Sequence, residues 1–335
     1  MAKTNYDALL LVSFGGPDRP EAVRPFLENL FRDKPGPPDR IDKAATHYEA
    51  IGGASPINMQ NRELLRAIVD ELRTHGHEMP VYWGNRYWHP MLDDTVRQMA
   101  EDEIRHALAF ATSAFGSYPS CRQYLEAIEA ARESVGETAP KIDKLRLFFN
   151  HPRFITAAAD RVTEAIDELP EDRRESALLL FTAHNIPQRM ADTSPYVDQI
   201  RESVRLVAEK LGRSDWDLAY QSGPAEPRSP WLSPRLEDRI VELHKAGKAD
   251  TLVIIPIGFL SDHMEVLYDL DLQAADLCDE LGIVHSRAAT VGCHPEFVTM
   301  IRELIEERLT DTPDRKAIGQ MDTAPDKCRP DCCEA

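Results

Sequence analysis

Short apolar runs alternate with longer stretches of helical period along most of the chain. Residues 7–14, 80–88, 106–113, 177–181, 216–222, 251–255 and 283–287 are too short for helices and read as strands, with 145–149 a further candidate. The run 251–255 lacks the in-out alternation of a half-exposed strand, which predicts burial on both faces in a parallel sheet. Between the strands, residues 21–31, 58–75, 93–105, 125–135, 152–169, 197–211, 236–245, 272–281 and 296–309 read as helices. In the first of these Val23, Phe26, Leu27 and Leu30 share one face. Pro35 to Pro38, the glycine-rich 48–56, the polar aromatic 114–124 and the proline-rich stretch from Gly223 to Trp231 read as connections.

Strands alternating with helices, about four to each half, predict an α/β chain of two Rossmann-like, doubly wound parallel-sheet domains with a cleft between them. The first domain is placed at 1–150, forming one cleft wall. The second is placed at 151–312, its last helix packing back on the first. Residues 313–335 read as a polar, cysteine-containing tail.

In open α/β sheets, ligands bind beyond the carboxyl ends of the strands. Directly past the 251–255 strand the chain lays down Asp262, His263, Glu265, Asp269 and Asp271. Such an oxygen and nitrogen donor set suits a divalent metal or proton transfer. A solvated loop opening an acidic helix explains the same residues, and for Asp269 and Asp271 the two readings stand level. The strand 177–181 runs into Thr182-Ala183-His184-Asn185-Ile186-Pro187, so a second strand ends on His184. Two strand ends with complementary chemistry in one half of the chain favour a site.

The formal charge of −18 excludes a nucleic-acid binder, which needs a surplus of Lys and Arg, and disfavours purely electrostatic attachment to anionic lipid. No apolar run reaches the ~20 residues of a spanning helix. The first residues show neither a signal sequence nor a transit pattern, so a cytoplasmic location is expected. Phe26, Leu27, Leu30 and Phe31 read as the core face of their helix rather than as a lip touching a membrane or partner. The dispersed Cys121, Cys278 and Cys293 with terminal Cys328, Cys332 and Cys333 do not form a secreted disulfide framework.

Several separated stretches, in order, resemble the ferrochelatase family: Ser13-Phe14-Gly15-Gly16-Pro17, Ile51-Gly52-Gly53-Ala54-Ser55-Pro56, Gly84-Asn85-Arg86-Tyr87-Trp88-His89-Pro90, Phe181 to Pro187, Tyr220-Gln221-Ser222 with Pro230-Trp231-Leu232, and Gly258 to Glu265. The resemblance covers roughly residues 5–310. It implies a lyase of haem and porphyrin biosynthesis, with two chelatase-type domains, that inserts Fe²⁺ into protoporphyrin IX or coproporphyrin III and releases two protons. Carried over to this sequence, His184 and Glu265 match the family's metal-insertion pair, and Asp262 and His263 their accompaniment. Arg86 matches a cleft arginine, while Phe14, Arg32, Ser55 and Tyr124 fall where relatives contact substrate. A neutral His184 near pH 7 suits both proton acceptance and iron. An upstream haem-pathway oxidase is the implied partner.

Two departures qualify the resemblance. Phe14 stands where relatives carry Tyr (coproporphyrin branch) or Met (protoporphyrin branch); it has no ligating atom, so the branch stays open. Some relatives hold a [2Fe–2S] cluster through one mid-chain and three C-terminal cysteines. Here Cys328, Cys332 and Cys333 depart from the usual spacing, and Ala157 occupies the mid-chain position. Four thiolates are required, so another cysteine such as Cys121 would have to serve; a thiol-rich tail without a cluster is the favoured reading. The rival functions are a cobalt or nickel chelatase for a sirohydrochlorin-like ring and a haem carrier. Phe14, Tyr87, Trp88 and Trp231 favour a flat, less carboxylated porphyrin over the first.

Overall fold

The computed structural model describes residues 6–32, 36–224, 227, 229–328 and 332–334. Part of the expected Pro35 to Pro38 connection therefore lies outside the described residues. Strands β1 (Ala8–Ser13), β2 (Val81–Asn85), β3 (His106–Ala111) and β4 (Lys141–Lys144) form one parallel sheet in the order β2-β1-β3-β4. Strands β5 (Leu178–His184), β6 (Trp216–Gln221), β7 (Thr251–Ile255) and β8 (Val284–Arg287) form the second, in the corresponding order β6-β5-β7-β8. In this winding the chain reverses direction between the first and third strands of each sheet. In the second sheet that switch point lies between β5 and β7, where an open α/β sheet presents its ligand crevice.

Both faces of the strands are apolar, as parallel sheets require. Leu9, Leu11 and Phe110 of the first sheet and Leu179, Phe181 and Val253 of the second belong to one shared core. The alternate residues Leu10 and Val12 enter an outer core on the first sheet, and Leu180 and Ile254 one on the second. Helices α1 (Pro20–Phe31) and α2 (Arg40–Ala50) lie apart from these. Their Val23, Phe26, Leu27 and Tyr48 make a small core of their own, joined by Phe14, Tyr87, Trp88 and Met264. Helix α3 (Ile57–Thr74) follows and contributes Leu64, Ile68 and Leu72 to the shared core.

The structure differs from the sequence reading in four places. The fourth strand is Lys141–Lys144, an edge strand with a polar outer side, while 145–149 is buried connection. Helix α2 is not apparent in the sequence: its stripe of Ile41, Ala44, Ala45 and Tyr48 is short and mostly small, and of these only Tyr48 is fully buried. The acidic helix begins at Met264, not near 272; it passes through a π-helical stretch, Leu267–Ala274, before the regular turns Ala275–Leu281. The stretch after Thr310 is no free tail in its described part. The Ile318 amide donates to the Asn150 carbonyl (3.0 Å), the Asn150 side chain donates to the Met321 carbonyl (2.8 Å), and Ala324 is buried. Its backbone satisfies buried polar groups between the sheets, which composition does not disclose.

Candidate active site

His184 closes β5, and the chain leaving β7 crosses above it. Phe181 is in register with Ile255, so β5 runs on for three residues after β7 has left the sheet. Gly258 makes the crossing: its amide donates to the Thr182 carbonyl at 3.1 Å, and a Cβ here would stand 2.7 Å from the Ala183 Cα. Only glycine fits so close a backbone approach. The crossing brings Glu265 onto His184, with Nε2 and Oε2 3.5 Å apart and 39% and 36% of the two side chains exposed.

His184 Nδ1 pairs with the Asn185 carbonyl oxygen at 2.6 Å, which places a proton on Nδ1. Burial alone depresses its pKa, but the Glu265 carboxylate and the Asn185 carbonyl outweigh burial and raise it to about 9. For Glu265, burial is likewise overcome by His184, and its pKa falls to about 2. The resting pair is therefore imidazolium and carboxylate at pH 7, not the neutral imidazole expected from the sequence. His263 behaves differently. Its Nδ1 accepts from the Glu265 amide at 3.2 Å, capping the helical turn, and burial lowers its pKa, so this ring is neutral.

Asp269 is buried beneath the pair rather than solvated. Its carboxyl accepts from the Ser222 hydroxyl and from Gln221 Nε2 (3.3 Å), yet burial still pushes its pKa up to about 7. Asp262 and Asp271 are committed to Arg287: the guanidinium donates to Asp271 at 2.8 and 2.9 Å and to Asp262 at 3.1 Å, while the Thr290 hydroxyl also donates to Asp262. Asp271 thus balances a cation at the rim, and nothing in its geometry directs it to His184.

On the facing wall Phe14 and Tyr87 pack with ring centroids 4.7 Å apart. Arg86 lies over the rings of Tyr87 (4.8 Å) and Tyr124 (5.0 Å) and donates to Gln123 at 2.8 Å. Tyr124 is buried, its hydroxyl 3.1 Å from that of Thr112. Ser55 is also buried; its amide holds the Pro17 carbonyl, and its side chain does not open onto the cleft. Arg32 is exposed at the end of α1. Trp231 bridges to Pro187 and lines a separate cavity. The sequence shows no sign of Arg287 or of the stack of His47 on Tyr268 (centroids 4.0 Å apart, 10° between planes), and Gln221 and Ser222 appear in it only as part of a family motif, without a role. The position of Ser222 directly after the β6 strand is the one available signal.

Cys121, Cys328, Cys332 and Cys333 line one cavity of about 560 Å³. Cys332 and Cys333 Sγ lie 3.7 Å apart, and Cys328 interacts with both Cys121 and Cys332. No three His, Cys, Asp or Glu side chains among the described residues are set to hold an ion.

A family model described as Ferrochelatase matches residues 6–309. A ferrochelatase of Rhodopirellula baltica is 50% identical over 98% of this chain and 93% of its own length. A coproporphyrin III ferrochelatase of Nocardia farcinica is 46% identical, covering 90% of this chain and 88% of the relative. Among solved structures, SirB from Bacillus subtilis with Fe³⁺ superposes with a TM-score of 0.56 at 12% identity, covering 93% and 99% of the two chains, a likeness of fold. The chain belongs to the ferrochelatase family.

Proposed function

We propose that this protein inserts ferrous iron into a porphyrin, with coproporphyrin III as the substrate, and that His184 and Glu265 carry the chemistry. The observation behind it is the open imidazolium–carboxylate pair at the switch point of the second sheet. The choice of porphyrin follows from relatives named as coproporphyrin III ferrochelatases. Residues 1–150 supply the aromatic wall and Arg86, and residues 151–312 the pair. The porphyrin comes from an upstream haem-pathway oxidase.

Insertion must remove two pyrrole N–H protons from a flat, tight ring. Contacts along the wall strain the ring by ~1–5 kcal/mol, exposing nitrogen lone pairs. Arriving as substrate, Fe²⁺ replaces imidazolium as the counter-charge of Glu265. His184 then loses the partner that held its proton, releases that proton to water by way of Asp269, and as a neutral base takes the two ring protons one after the other, each handed on before the next is accepted. Asp269, with a pKa of about 7, is suited to pass that proton on. Anaerobic assays offering Fe²⁺ with coproporphyrin III or protoporphyrin IX test this. Turnover on coproporphyrin III is expected; preference for protoporphyrin IX would overturn the substrate assignment, and tight binding without insertion would make the protein a carrier.

A [2Fe–2S] cluster is the second reading of the cysteine cavity: no three ligands among the described residues are set for one ion, so the four thiols would have to hold it as two pairs. Two thiolates on one tetrahedral metal with bonds of about 2.3 Å stand about 3.8 Å apart, close to the 3.7 Å between Cys332 and Cys333. Cys121 and Cys328 form the second pair, and pairs rather than triads are what two irons need. Cys121 then takes the place of the mid-chain cysteine absent at Ala157. Visible and EPR spectra with iron and sulfide analysis test this: Cys121→Ser removes the cluster signature, and a wild type lacking both iron and sulfide refutes it.

A further inference from the structure

The glycine-rich 51–56 stretch has no role so far, and it joins the two elements that reach across to Glu265. Helix α2 before it presents His47, whose ring lies flat on Tyr268 (centroids 4.0 Å apart). Helix α3 after it presents Gln60, whose Oε1 accepts from the Asp262 amide at 2.8 Å. Asp262 and Tyr268 each stand three residues from Glu265. Between them Met264 packs into the small core that α1 and α2 share with Phe14, Tyr87 and Trp88. The joining turn is itself fixed. Gly53 has φ +82° and lies on Pro20, where a Cβ would be 2.8 Å from Cγ, and the Ser55 amide donates to the Pro17 carbonyl at 2.7 Å.

We propose that His47 and Gln60 are positioning residues that grip the Glu265 segment from the opposite wall, so that the surface receiving the porphyrin also sets the distance from the macrocycle to Glu265. This rests on Glu265 being the insertion carboxylate. Without the grip Glu265 remains attached to the second sheet through Gln221 and through Arg287 on Asp262, and it is registered to the aromatic wall through Met264 alone. A misplacement of about 1 Å is enough to slow a positioned reaction greatly.

The test compares iron insertion and porphyrin binding in His47→Ala, Gln60→Ala, the double variant and His47→Phe. A flat aromatic stack and a half-buried hydrogen bond predict about a three- to tenfold fall in kcat for each alanine variant, a larger fall for the double, and an unchanged porphyrin Kd. His47→Phe keeps the stack without the ionisable ring and is expected to restore most of kcat. Unchanged kcat in a folded double variant, failure of Phe to rescue, or losses that merely follow the melting temperature would overturn the proposal. As a readout independent of turnover, the His47 ring protons are expected to move when Tyr268→Leu removes the stack. No movement counts against the grip. Glu265→Gln run alongside separates the two claims: retained turnover there overturns the assignment of Glu265 itself.

Discussion

Replacing Glu265 by Gln keeps the shape of the side chain and removes its charge, and the His184 imidazole should report the change. In the native pair burial pushes His184 down, while the carboxylate 3.5 Å away lifts it to about 9. With the carboxylate gone, burial is opposed only by the Asn185 carbonyl and Asp269, and the pKa falls towards the ordinary 6.5. The nominal drop is 9 − 6.5 = 2.5, about 3.4 kcal/mol at 1.36 kcal/mol for each pKa step of one. With 39% and 36% of the two side chains exposed, water screens the attraction and about half of that survives, roughly 1.7 kcal/mol. Histidine-labelled protein followed by NMR between pH 5 and 10, with His184→Gln for assignment, measures this. The native ring is expected to titrate well above 7 and the variant's at least about one pH step lower. A native ring that titrates below 6.5, or one indifferent to the Glu265 substitution, would refute the ion-pair reading and the proton sequence built on it.

The same pair fixes a pH dependence of stability. His184 is raised on folding, so its contribution is complete below about 6.5 and is lost as the pH rises through about 9; Glu265 is lowered, so its contribution is complete above about 4.5 and is lost as the pH falls towards about 2. Denaturant titrations should therefore show wild type and Glu265→Gln converging above pH 9. Arg146 and Glu307 form a buried bidentate pair with both contacts at 2.7 Å, so Arg146→Met is expected to cost about 3–5 kcal/mol in a urea melt; a loss near zero contradicts their burial as charges. Gly258→Ala places a methyl against the Ala183 backbone and is expected to lower insertion turnover at least about tenfold by displacing Glu265 from His184, while native turnover in this variant would show that the crossing tolerates a shift.

Most of the fold was legible because strands of parallel sheets announce themselves as apolar runs such as Leu178–Phe181 and Thr251–Ile255, which no helix of that length explains. His184 and Glu265 were legible for the same reason, since each follows such a run. What escaped was information held across the chain. Helix α2 packs on α1 through Ile41, Ala44, Ala45 and Tyr48, a stripe so short and so rich in alanine that it does not stand out in the sequence. Arg287 lies at a strand end like His184, but only the fold brings Asp262 and Asp271 onto one guanidinium. The charge of His184 is not legible in the sequence, because its pKa depends on a neighbour 81 positions away. Cys121 is a candidate fourth thiol by sequence, but its approach to Cys328 rests on where the last residues pack.

The central claim is that His184 and Glu265 perform insertion while the wall binds the ring. Fe²⁺ insertion under anaerobic conditions, measured beside porphyrin binding for wild type, His184→Ala and Glu265→Gln, tests it most directly. Each variant is expected to lose at least about a hundredfold in turnover with porphyrin affinity nearly unchanged. Turnover near wild type in either variant, or a loss of binding that accounts for the whole effect, would contradict it.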